Sequence, residues 1–84
     1  MAYAVNFTKQ ALKDLQRINE PFHTKIRRAI RSLAEDPRPN GCKKLKGREG
    51  YRIRIGNYRV IYEIFDDILL VEIVNLGDRK DVYD

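Results

Sequence analysis

The spacing of apolar residues along this chain switches between two periods, and each switch marks a change of backbone. Tyr3, Val5 and Phe7 alternate with Ala4 and Asn6, the period of a short strand. From Thr8, a good N-cap, the spacing becomes helical, with Ala11, Leu12, Leu15 and Ile18 at 3.6-residue intervals. Asn19-Glu20-Pro21 breaks that run. Pro21 suits the start of a second helix, because its missing N–H is not needed there. Phe22, Ile26, Ala29, Ile30 and Leu33 form the second helix's apolar stripe, with Lys25, Arg27, Arg28 and Arg31 largely on its other sides. Two amphipathic helices joined so briefly predict an antiparallel pair. Asp36-Pro37-Arg38-Pro39-Asn40-Gly41 then ends the helix. Cys42 to Glu49, basic and punctuated by glycine, reads as loop.

The period returns to two between Gly50 and Glu63, in two alternating runs joined by Gly56-Asn57. Such a connection predicts a hairpin with a primed turn, and a two-residue loop fixes the register. Ile55 then faces Tyr58, Arg54 faces Arg59, Ile53 faces Val60, Arg52 faces Ile61 and Tyr51 faces Tyr62. One face carries Tyr51, Ile53, Ile55, Tyr58, Val60 and Tyr62; the other carries Arg52, Arg54 and Arg59 beside Ile61. Like charges directly opposite one another destabilise a sheet, so the arginines bring no evident folding benefit. A solvated face would screen their repulsion. A preformed anion site would use it, since guanidinium forks suit phosphate, and the pattern favours this second reading.

Tyr58 to Phe65 reads as one strand and Asp66-Asp67 as a turn. Ile68 to Leu76 is nearly continuous apolar sequence, expected of a strand covered on much of both faces, and Gly77 to Asp84 is a short polar tail. The order strand, helix, helix, strand, strand, strand predicts an α+β domain spanning 1–84. An antiparallel sheet of about four strands would carry the N-terminal helical hairpin on one face and leave the arginine face open.

Composition narrows the function. At 84 residues the chain can build one modest core, and 43% hydrophobic with 35% charged residues should fold. No stretch approaches the length of a membrane span, and the N-terminus lacks a basic n-region and a long apolar h-region. The single Cys42 cannot form an internal disulfide, which fits a reducing compartment and makes the cytoplasm the default. The net charge of +5 is concentrated. Between Arg38 and Arg59 there are eight basic residues and one acid, Glu49, giving that segment +7. A patch of that kind is the electrostatic footprint of a nucleic-acid binder.

One histidine and one cysteine, without ligand-like spacing, argue against a metal site. His23 reads as an ordinary surface residue near the polar side of the second helix, and Cys42 as a buried or incidental loop thiol. The glycines are turn glycines rather than a phosphate-binding loop, and no Ser-His-Asp arrangement is evident. The tail Gly77-Asp78-Arg79-Lys80-Asp81-Val82-Tyr83 is by composition only polar. If the last strand lies beside the hairpin, however, Arg79 and Tyr83 could approach Arg52, Arg54 and Arg59.

Three segments together resemble the RelE/ParE toxin superfamily, with the RelE-type branch looking closest. They are Lys43-Lys44-Leu45-Lys46-Gly47, the hairpin from Tyr51 through Tyr62, and Gly77-Asp-Arg79-Lys-Asp-Val-Tyr83. The likeness covers nearly the whole chain. It implies the toxin of a type II toxin–antitoxin system, a ribosome-dependent mRNA interferase that cuts mRNA in the ribosomal A site and inhibits translation. It implies as partners mRNA, the 70S ribosome and a cognate antitoxin that neutralises the toxin in a hetero-oligomer, with no membrane and no cofactor. Carried over by position, Arg52 and Arg54 match basic residues on the site-facing strand. Arg59 matches a phosphate-contacting arginine, Arg79 the C-terminal catalytic arginine, and Tyr83 a tyrosine that stacks on a nucleobase. Lys43, Lys44, Lys46 and Arg48 become RNA-binding residues. The chain departs from the family where some members have Lys in place of Arg52 and Arg54, and where many have His in place of Asp78. Arginine is effectively always protonated and is a poor general base, so Asp78, Asp81, Lys46 and Lys80 stand as candidates for that role. The alternatives are a ParE-like DNA gyrase inhibitor and a non-catalytic RNA-binding or antitoxin-binding module.

Overall fold

The computed structural model describes residues 2–78. The chain forms strand β1 (Ala4–Phe7), helices α1 (Lys9–Gln16) and α2 (Phe22–Ser32), and strands β2 (Lys43–Lys44), β3 (Tyr51–Ile55) and β4 (Tyr58–Phe65). A short 3-10 turn (Asp66–Ile68) then leads into β5 (Leu70–Asp78). The fold is α+β, and the strands lie in one five-stranded sheet in the order β1-β5-β4-β3-β2.

Two features of the sheet correct the sequence reading. First, the sheet is mixed rather than purely antiparallel, because β1 pairs parallel to β5, with Ala4 opposite Leu70 and Phe7 opposite Ile73. This pairing joins the two ends of the described chain, and no local pattern encodes it. Second, Lys43 and Lys44 are not loop but a fifth, two-residue strand, paired with Arg52 and Tyr51. The segment between them folds back because the Leu45 N–H donates to the Gly50 carbonyl at 3.0 Å and the Leu45 side chain is buried.

The hairpin register is the one predicted, from Ile55 opposite Tyr58 to Tyr51 opposite Tyr62. Gly56 has φ +59° at the first central position of the turn, as a II′ connection requires. A side chain there would also strike the Phe22 ring, with Cβ only 2.6 Å from the nearest ring carbon.

The helices cover one face of the sheet. Ala11, Ile26, Ile30 and Leu33 from the helical segment bury against Val60, Tyr62, Val71, Ile73 and Leu76 from the strands. Three polar anchors hold the helices in place. Thr8 caps α1, its Oγ1 accepting from the Ala11 N–H at 3.1 Å while its hydroxyl donates to the Val74 carbonyl at 2.6 Å. The Asp14 carboxylate accepts from the Leu76 N–H at 3.1 Å. His23 is not the surface residue expected. Its Nδ1 lies 3.0 Å from the Leu15 carbonyl and 3.1 Å from that of Ile18, so it ties the start of α2 to the carbonyls at the end of α1.

At the far end of the sheet a second polar group fixes the proline-containing loop. The buried Tyr62 hydroxyl donates to the Pro37 carbonyl at 2.7 Å, and burial pushes its pKa well above the ordinary tyrosine range. Arg38 forms a bidentate pair with Asp66, at 2.9 and 3.4 Å, and its Nε donates to the Tyr51 hydroxyl at 3.3 Å. Tyr3 donates to the same Asp66 carboxylate at 2.6 Å.

Candidate nucleic-acid interface

The sheet face turned away from the helices is built by β2, β3, β4 and β5. Arg54 lies directly opposite Arg59, and Lys43 directly opposite Arg52. Arg59 has Gly77 as its neighbour on the other side. Four cationic residues thus share one face.

The floor of this face is apolar. Ile61 is fully buried there with Leu45, and Val74 packs against them. Against the sequence expectation, the face is not open throughout, since Arg52 is only 7% exposed. Arg54 is exposed and Arg59 partly buried. The three arginines therefore present a graded surface, with Arg52 held deep and Arg54 at the rim.

The basic loop divides between the two faces. Lys43 stands on the arginine face beside Arg52. Lys44 leans the other way, its Nζ 5.4 Å from the centre of the Tyr51 ring and 3.9 Å from the Glu49 carboxylate. That ion pair is long and exposed, and such pairs contribute little. Lys46 and Arg48 are exposed in the loop itself. Arg79 and Tyr83, with Lys80 and Asp81, lie outside the described residues; β5 ends at Asp78, opposite Tyr58. Among the described residues no cluster of histidine, cysteine and carboxylates could hold a metal ion.

Sequence reasoning missed one polar residue of this face, Asn75. The ladder slips between Ile61 and Tyr62, so that Tyr62 pairs with Ile73 but Ile61 with Asn75. The signal in the sequence was a polar residue inside the nearly continuous apolar run from Ile68 to Leu76; the burial of Val71, Ile73 and Leu76 shows where period two breaks.

Comparison with known proteins decides the family. A family model described as the ParE toxin of the type II toxin–antitoxin system, parDE, matches residues 5–83. The chain belongs to the RelE/ParE toxin superfamily. Among curated relatives, the mRNA interferase toxin RelE of Escherichia coli K12 is 27% identical over 88 residues, covering 99% of this chain and 92% of that protein. Toxin RelE3 of Methanocaldococcus jannaschii is 35% identical over 89 residues, covering 95% and 94%. The archaeal RelE–RelB complex from Pyrococcus horikoshii superposes with a TM-score of 0.83 at 30% identity, covering 98% of this chain and all of the matched one. This chain is therefore a RelE-like toxin of a type II toxin–antitoxin system. No helix among the described residues is long and apolar enough to cross a membrane.

Proposed function

We propose that this RelE-like toxin is an mRNA endoribonuclease that acts on the ribosome. The observation that carries the reading is the cationic face, on which Arg54 opposes Arg59 and Lys43 opposes Arg52 across adjacent strands. Cross-strand like charges work against the sheet, whereas a polyanionic strand laid on them turns each into a favourable contact. The relative named an mRNA interferase, matched along 99% of this chain, supports the same reading.

The reaction is attack by a ribose 2′-oxygen on the adjacent phosphorus. The P–O2′ bond forms, the P–O5′ bond breaks, and the products are a 2′,3′-cyclic phosphate and a 5′-hydroxyl end. The 2′-hydroxyl gives up its proton to a base, and the departing 5′-oxygen takes one up. Negative charge gathers on the phosphate oxygens in the transition state, and fixed guanidinium groups stabilise it there. Arg59 and Arg79 act on the scissile phosphate, Arg52 and Arg54 hold flanking phosphate, and Tyr83 stacks on a base or orients the 2′-hydroxyl. Lys43, Lys44, Lys46 and Arg48 hold the strand, with Lys44 contributing from the loop's other side. Asp78 pairs with Tyr58 and lines a cleft with Asp14, Arg17 and Ile18 on the helix side of the sheet, away from Arg54 and Arg59, which leaves Lys46, Lys80 and Asp81 as the candidate bases. Bending the mRNA into line supplies much of the rate by position alone. No metal or cofactor takes part, and the reaction belongs in the cytoplasm with its ribosomes.

The partner that restrains this activity is a cognate antitoxin, as RelB is in the antitoxin–toxin complex from Methanococcus jannaschii. An apolar groove of about 380 Å³ between β1 and the helices suits it. Tyr3, Val5, Phe7, Leu12, Leu15 and Ile30 line the groove, with Arg27 and Arg31 at its rim. An amphipathic segment with acidic flanks fits that surface and folds on binding.

The test is cleavage of a defined mRNA, free and on programmed ribosomes, with ends mapped to the nucleotide for wild type and Arg79→Ala. Cuts on ribosomes only, in register with the A-site codon and absent in Arg79→Ala, support the reading. One finding favours a second one: the family model that matches is that of the ParE toxin. If folded wild-type protein cuts no RNA but blocks gyrase supercoiling, that reading replaces the first.

A further inference from the structure

Asn75 occupies a place that strict alternation along β5 would deny it. Val71 and Ile73 point into the helix-covered core and are fully buried, so a period of two would send position 75 in after them. The slip between Ile61 and Tyr62 makes Val74 an extra residue on the β5 side. Leu76 takes the core position at 2% exposure, and Asn75 turns to the arginine face. Bulges of this kind recur beside active sites, where they re-aim a side chain. Across the ladder Asn75 faces Ile61, while Arg59 faces Gly77, so Asn75 and Arg59 are diagonal neighbours, about 7–8 Å apart.

The Asn75 Oδ1 atom is buried and has no hydrogen-bond partner. A buried acceptor left unsatisfied costs stability, and an apolar residue of similar volume would avoid that cost. Arg59 beside it belongs to the face assigned above to phosphate.

We propose that Asn75 is a further substrate-contacting residue, its amide oxygen accepting a hydrogen bond from a ribose 2′-hydroxyl of the bound strand. The proposal rests on the ribonuclease reading above. An amide oxygen needs a donor. Phosphate oxygens are ionised acceptors and go to the arginines, and the donor that a sugar–phosphate backbone carries is the 2′-hydroxyl. The Asn amide torsion is broad, and no hydrogen bond holds this oxygen inward. The amide therefore swings toward the strand as it binds. Arginine reads phosphate, which RNA and DNA share; Asn75 reads the hydroxyl that DNA lacks.

The experiment measures binding of a short single-stranded RNA, and of the DNA of the same sequence, to the full chain at one salt concentration. All proteins carry Arg79→Ala so that the RNA stays intact. Adding Asn75→Ala weakens RNA binding about five- to tenfold, as loss of one hydrogen bond should, and leaves DNA binding unchanged. Adding Asn75→Leu removes the same RNA preference while raising the melting temperature, a gain that a structural asparagine would not give. Equal losses on RNA and DNA, or no loss on RNA, overturn the proposal. Wild-type protein assayed on programmed ribosomes keeps the two readings apart. No cleavage there, with RNA preference still lost in Asn75→Ala, defeats the nuclease and leaves the hydroxyl contact standing. Cleavage there, with Asn75→Ala binding both strands as before, defeats the contact alone.

Discussion

The two faces of the β3–β4 hairpin are made by alternate residues of the same thirteen or so positions, roughly one per 3.3 Å of strand, and they serve opposite ends. On the helix side, Ile53, Val60 and Tyr62 are buried in one apolar cluster with Ile26, Ile30 and Leu33. On the other side, Arg54 opposes Arg59 over a small floor of Ile61, Leu45 and Val74. Burial drives the first face and gives the sheet its stability. The second face sets cationic side chains over that floor, and it is available to a ligand. The comparison teaches that stability and function are separable here by parity: a substitution at an even step of the strand should move one and spare the other.

The core face should give the largest effect. Ile73 is fully buried between the helices and the sheet, and Ile73→Ala is expected to cost about 2–5 kcal/mol of unfolding free energy. Denaturant titration measures it. Cleavage per folded molecule should be unchanged, and a specific loss of activity would show that the faces are coupled.

Arg59→Ala is the mirror experiment. Removing one donor to a developing oxyanion costs on the order of 10²–10³ in rate, read as single-turnover cleavage on programmed ribosomes. Arg59 is half-buried opposite Arg54, and the loss of rate should far exceed any loss of stability read from the melting temperature. A fall in stability matching the fall in rate would make Arg59 a structural residue.

Thr8→Ala probes the join between the faces. Its hydroxyl caps α1 and also donates to Val74, the extra residue of the β5 bulge. Loss of an N-cap costs about 0.5–2 kcal/mol, and thermal melts should show a change of that order. If the bulge relies on this bond, RNA affinity should drop with it, and an unchanged affinity would show that the bulge holds its own shape.

Local periodicity explains what could be read from the sequence. The hairpin register follows from Gly56-Asn57 and strict alternation, the two helical stripes from 3.6-residue spacing, and the Thr8 cap from its place before Lys9. What was misread depends on contacts that periodicity does not carry, whether between the chain's ends or only a few residues apart. Val5 finds Val71 in a parallel pair, His23 finds the Leu15 and Ile18 carbonyls across the helix turn, and Arg52 is buried opposite Ile61, on which Leu45 packs. A polar Asn75 inside an apolar strand announced an exception, but only the pairing of Ile61 with Asn75 shows which way it turns. Arg79 and Tyr83 are placed near the arginines by the expected order of the strands and given roles by resemblance, and they lie outside the described residues.

The smallest effect concerns neither face but the end where they meet. Hydrogen bonds from Arg38, and then from Tyr3, hold the Asp66 carboxyl below its ordinary range. A depressed folded pKa means that the contribution is fully present above the unfolded value, near 3.9, and is lost as pH falls through the lower folded one. The same bond holds the Tyr3 hydroxyl above its ordinary value, so that contribution is present below about 10 and is lost as pH rises through the raised one. The pair is exposed, at 45% and 55% for the Arg38 and Asp66 side chains, so solvent and salt keep its worth small. Wild type and Asp66→Asn should therefore differ slightly in stability near neutral pH and converge in acid, below the carboxylate's folded pKa. RNA binding should not follow this titration, because Asp66 lies at the Tyr51 end of the sheet and away from Arg59. A parallel acid dependence of RNA binding in wild type, abolished in Asp66→Asn, would show that the proline-loop anchor positions the cationic face.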